Sequence, residues 1–403
     1  LFDVGSVEVL RGSQGSRYGA NALGGLIYMR SIEPSASRDG RLQLTLGEDD
    51  AVSLGAAFGG ALNDDETVVF RLSAQRFESD GFRSNSYLGR KDTNKRDETG
   101  VRFGLGFKPS RSIDGRLSVI YSNVDDGYDA FSLDNTYTML SDKPGRDAQE
   151  SIGASLRFDW GDIGSGSLTS ITALASSDID FSYDADWGND DSWAPVLYDY
   201  ISVSNRQRDT VSQEFRYTTS KWLFGFYALS LSEDLATLNQ GEYYDPGYDW
   251  ADSLDYPFDS DYRSTNVALF TQYDHELSDV TRFSAGIRVE HRMTDYSDTD
   301  GFSADPSDSL WGGELSVSHD FSGQATGFAT LSRGYKAGGF NLGVVPDNWR
   351  YFDPEAMWTV ETGIKSVLLD GALELDASVF YSWREDQQVR ASFQLVPNDP
   401  ASF

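Results

Sequence analysis

The stretch RFSAGIRVE at residues 282–290 shows the pattern that decides the fold. Apolar side chains occupy every second position of it: Phe283, Ala285, Ile287 and Val289. Polar, charged or glycine residues lie between them. Because successive side chains of a β-strand point to opposite faces, this stretch predicts a strand with one apolar face and one charged face.

About fifteen stretches of this kind follow one another, from near Arg41 to near Val389. The connections between them alternate in length. Short connections are predicted near residues 63–65, 109–115, 161–166, 219–221, 278–279, 321–324 and 370–371. Long ones are predicted near 79–97, 125–149, 182–205, 239–263, 297–308 and 335–353; the first hairpin, turning at 48–50, is the exception. Short turns on one rim and long loops on the other predict a transmembrane antiparallel β-barrel, an all-β fold.

Composition narrows the choice of protein class. The 403 residues include no cysteine, and 64 acidic against 33 basic residues give a net charge of −31. Such acidity argues against nucleic-acid binding, since phosphate is repelled. Aromatic residues make up 13% of the chain, which argues against disorder. The sequence lacks a run of 18 apolar residues, so no transmembrane helix is predicted.

A soluble sandwich, propeller or β-helix is the alternative all-β fold. Propellers and β-helices show a sequence repeat, and we find none. Charged residues at the inward positions Arg282, Arg288 and Glu290 would be costly in a dry core. A water-filled lumen accommodates them, and we therefore expect these side chains to face water.

Residues 7–29, VEVLRGSQGSRYGANALGGLIYM, differ from the rest of the chain. This stretch resembles the end of the plug domain of TonB-dependent receptors. The positions that carry the likeness are Arg11, Gly12, Gly15, Tyr18, Gly19, Asn21, Gly24 and Gly25. The sequence departs from the family pattern at Ser13, where proline is usual, and in the ending at residues 28–30. A phosphate-binding loop is the alternative, but neither Gly-x-Gly-x-x-Gly nor Gly-Lys-Ser/Thr is present.

Three later stretches also resemble the family: QEFR at residues 213–216, LSRGYKAGGFN at 331–341 and ETGIK at 361–365. The resemblance implies a 22-stranded barrel filled by a plug. Residues 1–34 would then be the end of the plug and residues 35–403 a partial barrel. About seven strands, most of the plug and its TonB box would lie outside this sequence.

The implied function is import of a ferric siderophore or similar iron complex through the bacterial outer membrane. The implied partners are TonB with ExbB and ExbD, the nutrient ligand, and outer-membrane lipid and lipopolysaccharide. We expect no cofactor and no catalytic residues: neither Gly-x-Ser-x-Gly nor His-Glu-x-x-His occurs. Haem as cargo is disfavoured, because YKAG at residues 335–338 stands where haem receptors carry Phe-Arg-Ala-Pro. Oligosaccharide or cobalamin import, a passive porin and a soluble sugar-binding protein remain alternatives.

Two groups of residues are candidates for function. The resemblance places Arg11 on a plug strand and Glu214 and Glu361 at recurrent barrel positions. These three are predicted to form a plug–barrel latch, which either loosens during transport or is a static salt bridge. Residues 243–262 are predicted to form an acidic loop whose aromatic side chains contact cargo by stacking. These candidates are Tyr243, Tyr244, Tyr248, Trp250, Tyr256 and Tyr262.

No metal site is predicted. Residues 295–301 fail the EF-hand pattern, because Tyr296 and Ser307 stand where carboxylates are needed. The acidic residues of the predicted loop are interpreted as a solvated face. An acidic exterior would also repel anionic ferric chelates, which leaves a neutral or cationic cargo, or cation masking, as alternatives.

Overall fold

A computed structural model of the protein describes residues 2–20, 22–343 and 345–390. The strands are β1 (Val4–Arg11), β2 (Gly25–Ser31), β3 (Asp39–Leu46), β4 (Val52–Ala61), β5 (Val68–Ser79), β6 (Ser84–Asn85), β7 (Arg96–Ser110), β8 (Ile113–Tyr128), β9 (Thr138–Met139), β10 (Gly145–Ile163), β11 (Gly166–Asp184), β12 (Leu197–Thr218), β13 (Trp222–Asp245), β14 (Trp250–Ser278), β15 (Thr281–Asp298), β16 (Ser303–Ala304), β17 (Ser307–Ser322), β18 (Ala325–Lys336), β19 (Gly339–Phe340), β20 (Tyr351–Phe352), β21 (Glu355–Leu368) and β22 (Leu373–Glu385). The helices are α1 (Gly15–Tyr18), α2 (Asp347–Arg350) and a 3₁₀ turn (Leu369–Gly371). Within the described ranges, no helix is both long and apolar enough to cross a membrane.

One large antiparallel sheet forms the wall of a partial barrel. Its strand order is β3-β4-β5-β7-β8-β10-β11-β12-β13-β14-β15-β17-β18-β21-β22, and β16 pairs beside β15. The prediction of about fifteen strands is confirmed by these fifteen consecutive neighbours. Strands β3 and β22 are the two edges of the sheet within the described residues.

The wall has an outer apolar face and an inner face, as the alternation predicts. The cross-strand partners Leu269 and Val289 are 59% and 50% exposed. Their neighbours Phe270 and Arg288, also partners, are only 8% and 4% exposed. Because residues of one parity share a face, the even-numbered residues of β14 and β15 point inward.

The outer face of β17 has a height that suits a membrane. Its exposed aromatic residues Trp311 and Phe321 stand ten positions apart on the strand. At about 3.3 Å per residue they are roughly 33 Å apart along the strand, and a tilt of about 40° reduces this to roughly 25 Å. Outer-membrane barrels carry an apolar band of about this height between aromatic girdles.

The two rims differ in the length of their connections, as predicted, with one error. The expected long loop at 239–263 is instead a paired hairpin, in which β13 and β14 stay in register from Trp222–Tyr273 to Asp245–Trp250. Only residues 246–249 form the turn, where the Gly247 N–H donates to Asp245 Oδ1 at 2.7 Å. The sequence analysis predicted an acidic loop here, but the backbone groups of both arms satisfy one another across the ladder.

Strands β1 and β2 form a separate antiparallel hairpin, from Val4–Ser31 to Arg11–Gly25. Helix α1 lies in the connection between them and packs against β15, β17 and β18. The N-terminal segment therefore lies against the inner face of the wall.

Candidate functional site

The N-terminal segment is bound to the wall at one end by a buried ion pair. Arg71 on β5 donates to both carboxylate oxygens of Asp3, from Nε at 2.7 Å and from Nη2 at 2.6 Å. Its Nη1 also donates to Asp39 Oδ2 at 2.9 Å. Arg71 and Asp3 are 6% and 2% exposed. Two parallel hydrogen bonds of this kind fix orientation as well as distance.

Further contacts surround this ion pair. The Phe2 ring fills the space beside Gly55 of β4, where an added Cβ would lie 2.7 Å from the ring. Arg102 on β7 donates to the Phe2 carbonyl and, at 2.7 Å, to Ser31 Oγ. Arg116 on β8 pairs with Glu33 at 2.5 Å. The first strands of the wall therefore hold both strands of the β1–β2 hairpin at its open end, opposite α1.

Helix α1 contacts the opposite part of the wall through glycines. A Cβ added to Gly15 would lie 3.0 Å from the Cα of Gly334 on β18. A Cβ added to Gly312 on β17 would lie 2.9 Å from the carbonyl carbon of Gly15. Only residues without a side chain allow two backbones to approach this closely.

A buried polar network lies directly under Gly19. The Arg288 guanidinium would be 3.0 Å from an added Gly19 Cβ, and it pairs with Glu290 at 2.9 Å. Glu290 also accepts hydrogen bonds from Asn266 at 2.8 Å and from the Tyr335 hydroxyl at 3.0 Å. The expectation that Arg288 and Glu290 face water is wrong, because α1 covers them. Their charges are instead satisfied by each other and by these neighbours.

The structure explains most of the predicted plug-motif positions. Gly12 and Gly19 have φ of 75° and 79°, which favour glycine. At Gly25, which also has positive φ (153°), a Cβ would lie 2.7 Å from the Leu10 carbonyl oxygen. Tyr18 is exposed, with its ring 6.4 Å from that of Tyr28. Gly24 has open space around it. Asn21 lies outside the described residues.

The predicted latch is not formed. Arg11 is exposed on β1 and has no ion pair within the described part of the chain. Glu214 pairs with Arg216 on its own strand, and Glu361 has no described cationic partner. An ion pair between the N-terminal segment and the wall is formed instead by Asp3 and Arg71, which carry no local sequence signal that would mark them as partners.

The six predicted cargo residues are distributed over both faces of the β13–β14 hairpin. Strand parity places Tyr243, Trp250, Tyr256 and Tyr262 on the inward side, Tyr244 on the outward side and Tyr248 in the turn. The rings of Tyr243 and Trp250 are 5.0 Å apart, and Tyr198 of β12 lies beside Tyr243 at 6.3 Å. Tyr248 is exposed.

Tyr256 and Tyr262 contact charged groups. The Tyr256 hydroxyl donates to Asp300 Oδ2 at 2.6 Å. Burial and this hydrogen bond raise the pKa of Tyr256 above its ordinary value. The Tyr262 hydroxyl accepts a hydrogen bond from Arg292, whose Nη1 also donates to the Gly338 carbonyl at 2.9 Å.

Gly338 belongs to the connection between β18 and β21, whose described residues 337–343 and 345–354 fold onto the inward side of β15. Phe340 stacks on Tyr296 with ring centroids 4.3 Å apart. Arg350 pairs with Asp298 at 2.8 Å and with Asp300 at 3.2 Å. The Asp298 side chain is fully buried, so this ion pair is shielded from solvent. The connection therefore covers part of the inner face on the rim of long loops.

Comparison with known proteins gives one family. A family model described as TonB dependent receptor-like, beta-barrel, matches residues 11–401. Among curated proteins, the vitamin B12 transporter BtuB of Vibrio vulnificus (strain YJ016) is 34% identical over 84 residues, which is 21% of this chain and 13% of BtuB.

Two solved structures share the fold. The ferric yersiniabactin uptake receptor FyuA from Yersinia pestis superposes with a TM-score of 0.80 at 18% identity, covering 96% of this chain and 61% of FyuA. The siderophore receptor PiuA from Acinetobacter baumannii gives 0.69 at 16% identity, covering 94% of this chain and 62% of PiuA. The chain thus spans about three fifths of the length of these receptors.

Proposed function

Because the chain belongs to the TonB-dependent receptor family and such proteins lie in the bacterial outer membrane, we propose that the full-length protein imports a ferric siderophore or similar iron complex. Transport is driven by TonB with ExbB and ExbD. Residues 1–34 are the end of the plug, and residues 35–403 are part of the barrel. The observation that carries the proposal is the N-terminal hairpin held against the inner wall by the Asp3–Arg71 pair.

That contact suits active import rather than passive diffusion. A porin needs an open lumen, whereas an importer must seal the pore and release the seal only when it is pulled. A buried, doubly hydrogen-bonded ion pair is expensive to break by removing one partner, which favours a stable seal. The likeness to FyuA, named as a ferric yersiniabactin uptake receptor, and to PiuA, named as a siderophore receptor, supports an iron complex as cargo.

We propose that the inward aromatic residues of the β13–β14 hairpin contact the cargo on the outer side. Tyr243 and Trp250 form a pair of rings above the lumen, with Tyr256 and Tyr262 deeper along β14. Planar chelating groups stack on such rings. Tyr244 points outward and Tyr248 lies in the turn, so these two residues contribute less to cargo contact.

Cobalamin is the second candidate cargo, supported by the 84-residue likeness to BtuB. Uptake of radioactive iron from several ferric siderophores, by receptor-deficient cells expressing the full-length gene with and without TonB, tests the proposal. We expect uptake of at least one chelate, lost without TonB. TonB-independent uptake would show a passive pore. Uptake of labelled cobalamin but of no iron chelate would transfer the assignment to cobalamin.

A further inference from the structure

A cavity of about 420 Å³ lies between the N-terminal segment and the inner face of the wall. Strands β5, β7, β8 and β10 form its wall side, and Asp3 with residues 28–34 forms the opposite side. Its volume lies in the range of sites that bind small molecules. Five arginines line it, and we call it the arginine cavity: Arg30, Arg71, Arg102, Arg116 and Arg157.

The register of the wall strands places these arginines around an open floor. The floor consists of three small residues that are neighbours across β7, β8 and β10: Gly104, Ser118 and Ser155. Arg102 lies two positions from the floor on one side. Arg116 and Arg157, which are cross-strand partners, lie two positions from it on the other side. Because residues two apart on a strand share a face, all three arginines border the same space.

Carboxylates balance only part of this positive charge. They pair with three of the arginines: Asp3 and Asp39 with Arg71, Glu33 with Arg116, and Asp159 with Arg157. Within the described residues, Arg30 and Arg102 pair with no carboxylate. Arg102 donates to Ser31 Oγ at 2.7 Å and to the Phe2 carbonyl, and Arg30 lies 5.0 Å from the centre of the Tyr28 ring.

This excess of cations runs against the composition of the chain, which has 64 acidic and 33 basic residues. Arg102 is half-buried, and two uncharged oxygens satisfy only part of the five N–H donors of a guanidinium. A charge that is partly withdrawn from water without a counter-ion is unfavourable. An anion in the arginine cavity would remove this imbalance.

The N-terminal segment itself shows which chemistry the wall arginines accept, because it brings the carboxylates of Asp3 and Glu33 to them. A guanidinium matches a carboxylate with two parallel hydrogen bonds. Arg102 and Arg116 stand four positions apart along the wall, roughly 13 Å at about 3.3 Å per residue. A ligand with two or more carboxylates spans such a distance between two arginine side chains better than a single carboxylate does.

We propose that the arginine cavity binds a small polycarboxylate anion. One carboxylate binds Arg30 and Arg102, and another binds on the side of Arg116 and Arg157. The bound anion joins Arg30 of the hairpin to the wall and thereby adds to the contact that Asp3 makes with Arg71. The proposal does not depend on the cargo proposed above.

Calorimetry with citrate alone, on the full-length receptor in detergent, tests the site. We expect one saturable site. Arg102→Gln removes the charge but keeps an amide donor for Ser31 and the Phe2 carbonyl, and it should weaken citrate binding at least about tenfold, as for one lost charge-assisted hydrogen bond. Arg30→Gln, at an exposed position, should weaken binding to a similar extent. The control Arg282→Gln, an inward arginine of β15 that pairs with Asp320, should leave it unchanged.

Hydrogen exchange gives a second measurement, because an anion that joins the hairpin to the wall protects β1 and β2. Citrate should slow their exchange in the wild-type receptor and have little effect in Arg30→Gln. The proposal would be overturned by the absence of saturable citrate binding, by inorganic phosphate binding more tightly than citrate, or by equal affinities of the Arg102→Gln, Arg30→Gln and Arg282→Gln variants. Because citrate without iron is the probe and uptake is not measured, failure here leaves the import proposal standing.

Discussion

The two ends of the N-terminal segment meet the wall by opposite means. At the Asp3 end, opposite charges hold the contact: the buried Arg71 guanidinium on β5 pairs with the buried Asp3 and with the exposed Asp39. At the α1 end, close backbone packing holds the contact, because Gly15 lies against Gly312 and Gly334 with no side chain between them. The ion pair can be broken by one substitution, and a second substitution can compensate for the loss. The glycine contact is disturbed by any side-chain atom that is added to it.

The largest loss of function is expected from a side chain placed between Gly312 and the Gly15 backbone. Gly312→Val places atoms where the Gly15 backbone lies, so α1 cannot dock. We expect iron uptake by the full-length receptor to fall more than about tenfold, a loss typical of misplaced functional elements, together with increased entry of large antibiotics. Gly153→Val is the control, because it also faces inward and its added Cβ would be 3.7 Å from its nearest neighbour. Equal effects of both variants would mean that the glycine contact has no special role.

The second effect concerns the ion pair. Arg71→Met leaves Asp3 buried without its partner, which costs about 3–5 kcal/mol for breaking a buried pair. We expect faster hydrogen exchange of β1 and β2 while α1 stays protected. The double variant Asp3→Leu with Arg71→Met should recover most of the loss, since no lone charge remains. Arg157→Met, which breaks the more exposed pair with Asp159, should cost only about 0–1 kcal/mol.

The connection at 337–354 combines both kinds of contact. Arg350→Ala removes the cation that pairs with the buried Asp298, which keeps only its hydrogen bonds from the Tyr296 hydroxyl and the Phe302 N–H. Phe340→Ala removes only a stacked ring. We expect Arg350→Ala to release the connection more, by about 1.5–3 kcal/mol, the range for a lost hydrogen bond to a charged group. The rate of thiol labelling at Leu342→Cys, an exposed position, reports this opening. Slower labelling in Arg350→Ala than in Phe340→Ala would show that the stacked Phe340 ring holds the connection more strongly than the Arg350 ion pairs do.

The smallest effect is expected at the hairpin aromatics. Tyr243→Ala with Trp250→Ala should weaken cargo binding about two- to tenfold, the range of a lost aromatic pair. Tyr244→Ala, on the outward side, serves as the comparison and should weaken cargo binding less than the double variant does. Thermal unfolding of the barrel should be unchanged in all of these variants. Cargo affinity that stays at the wild-type level in the double variant would remove the hairpin from the proposed binding site.

Local pattern was enough to predict the wall. Alternation placed Ile287 and Val289 on one face and Arg288 and Glu290 on the other, and connection length separated the rims. Contacts across the lumen could not be predicted in this way: nothing near Asp3 or Arg71 in sequence shows that they meet, because 68 positions and the four strands β1 to β4 separate them. The same limit led to Arg11 being assigned to Glu214, whose partner is Arg216. The sequence was also misleading at residues 243–262, where all residues except the turn at 246–249 lie on paired strands.

The unbroken ladder between β13 and β14 has a consequence for how such a receptor can diversify. Twenty-four consecutive residue pairs join the two arms without a bulge. An insertion of two residues in each strand would lengthen the β13–β14 hairpin by one repeat of the pleat. Every side chain would keep its own face of the sheet. A single inserted residue would exchange the faces of everything beyond it. Selection can therefore reshape the outer surface in even steps, while the part of the wall in the lipid stays untouched.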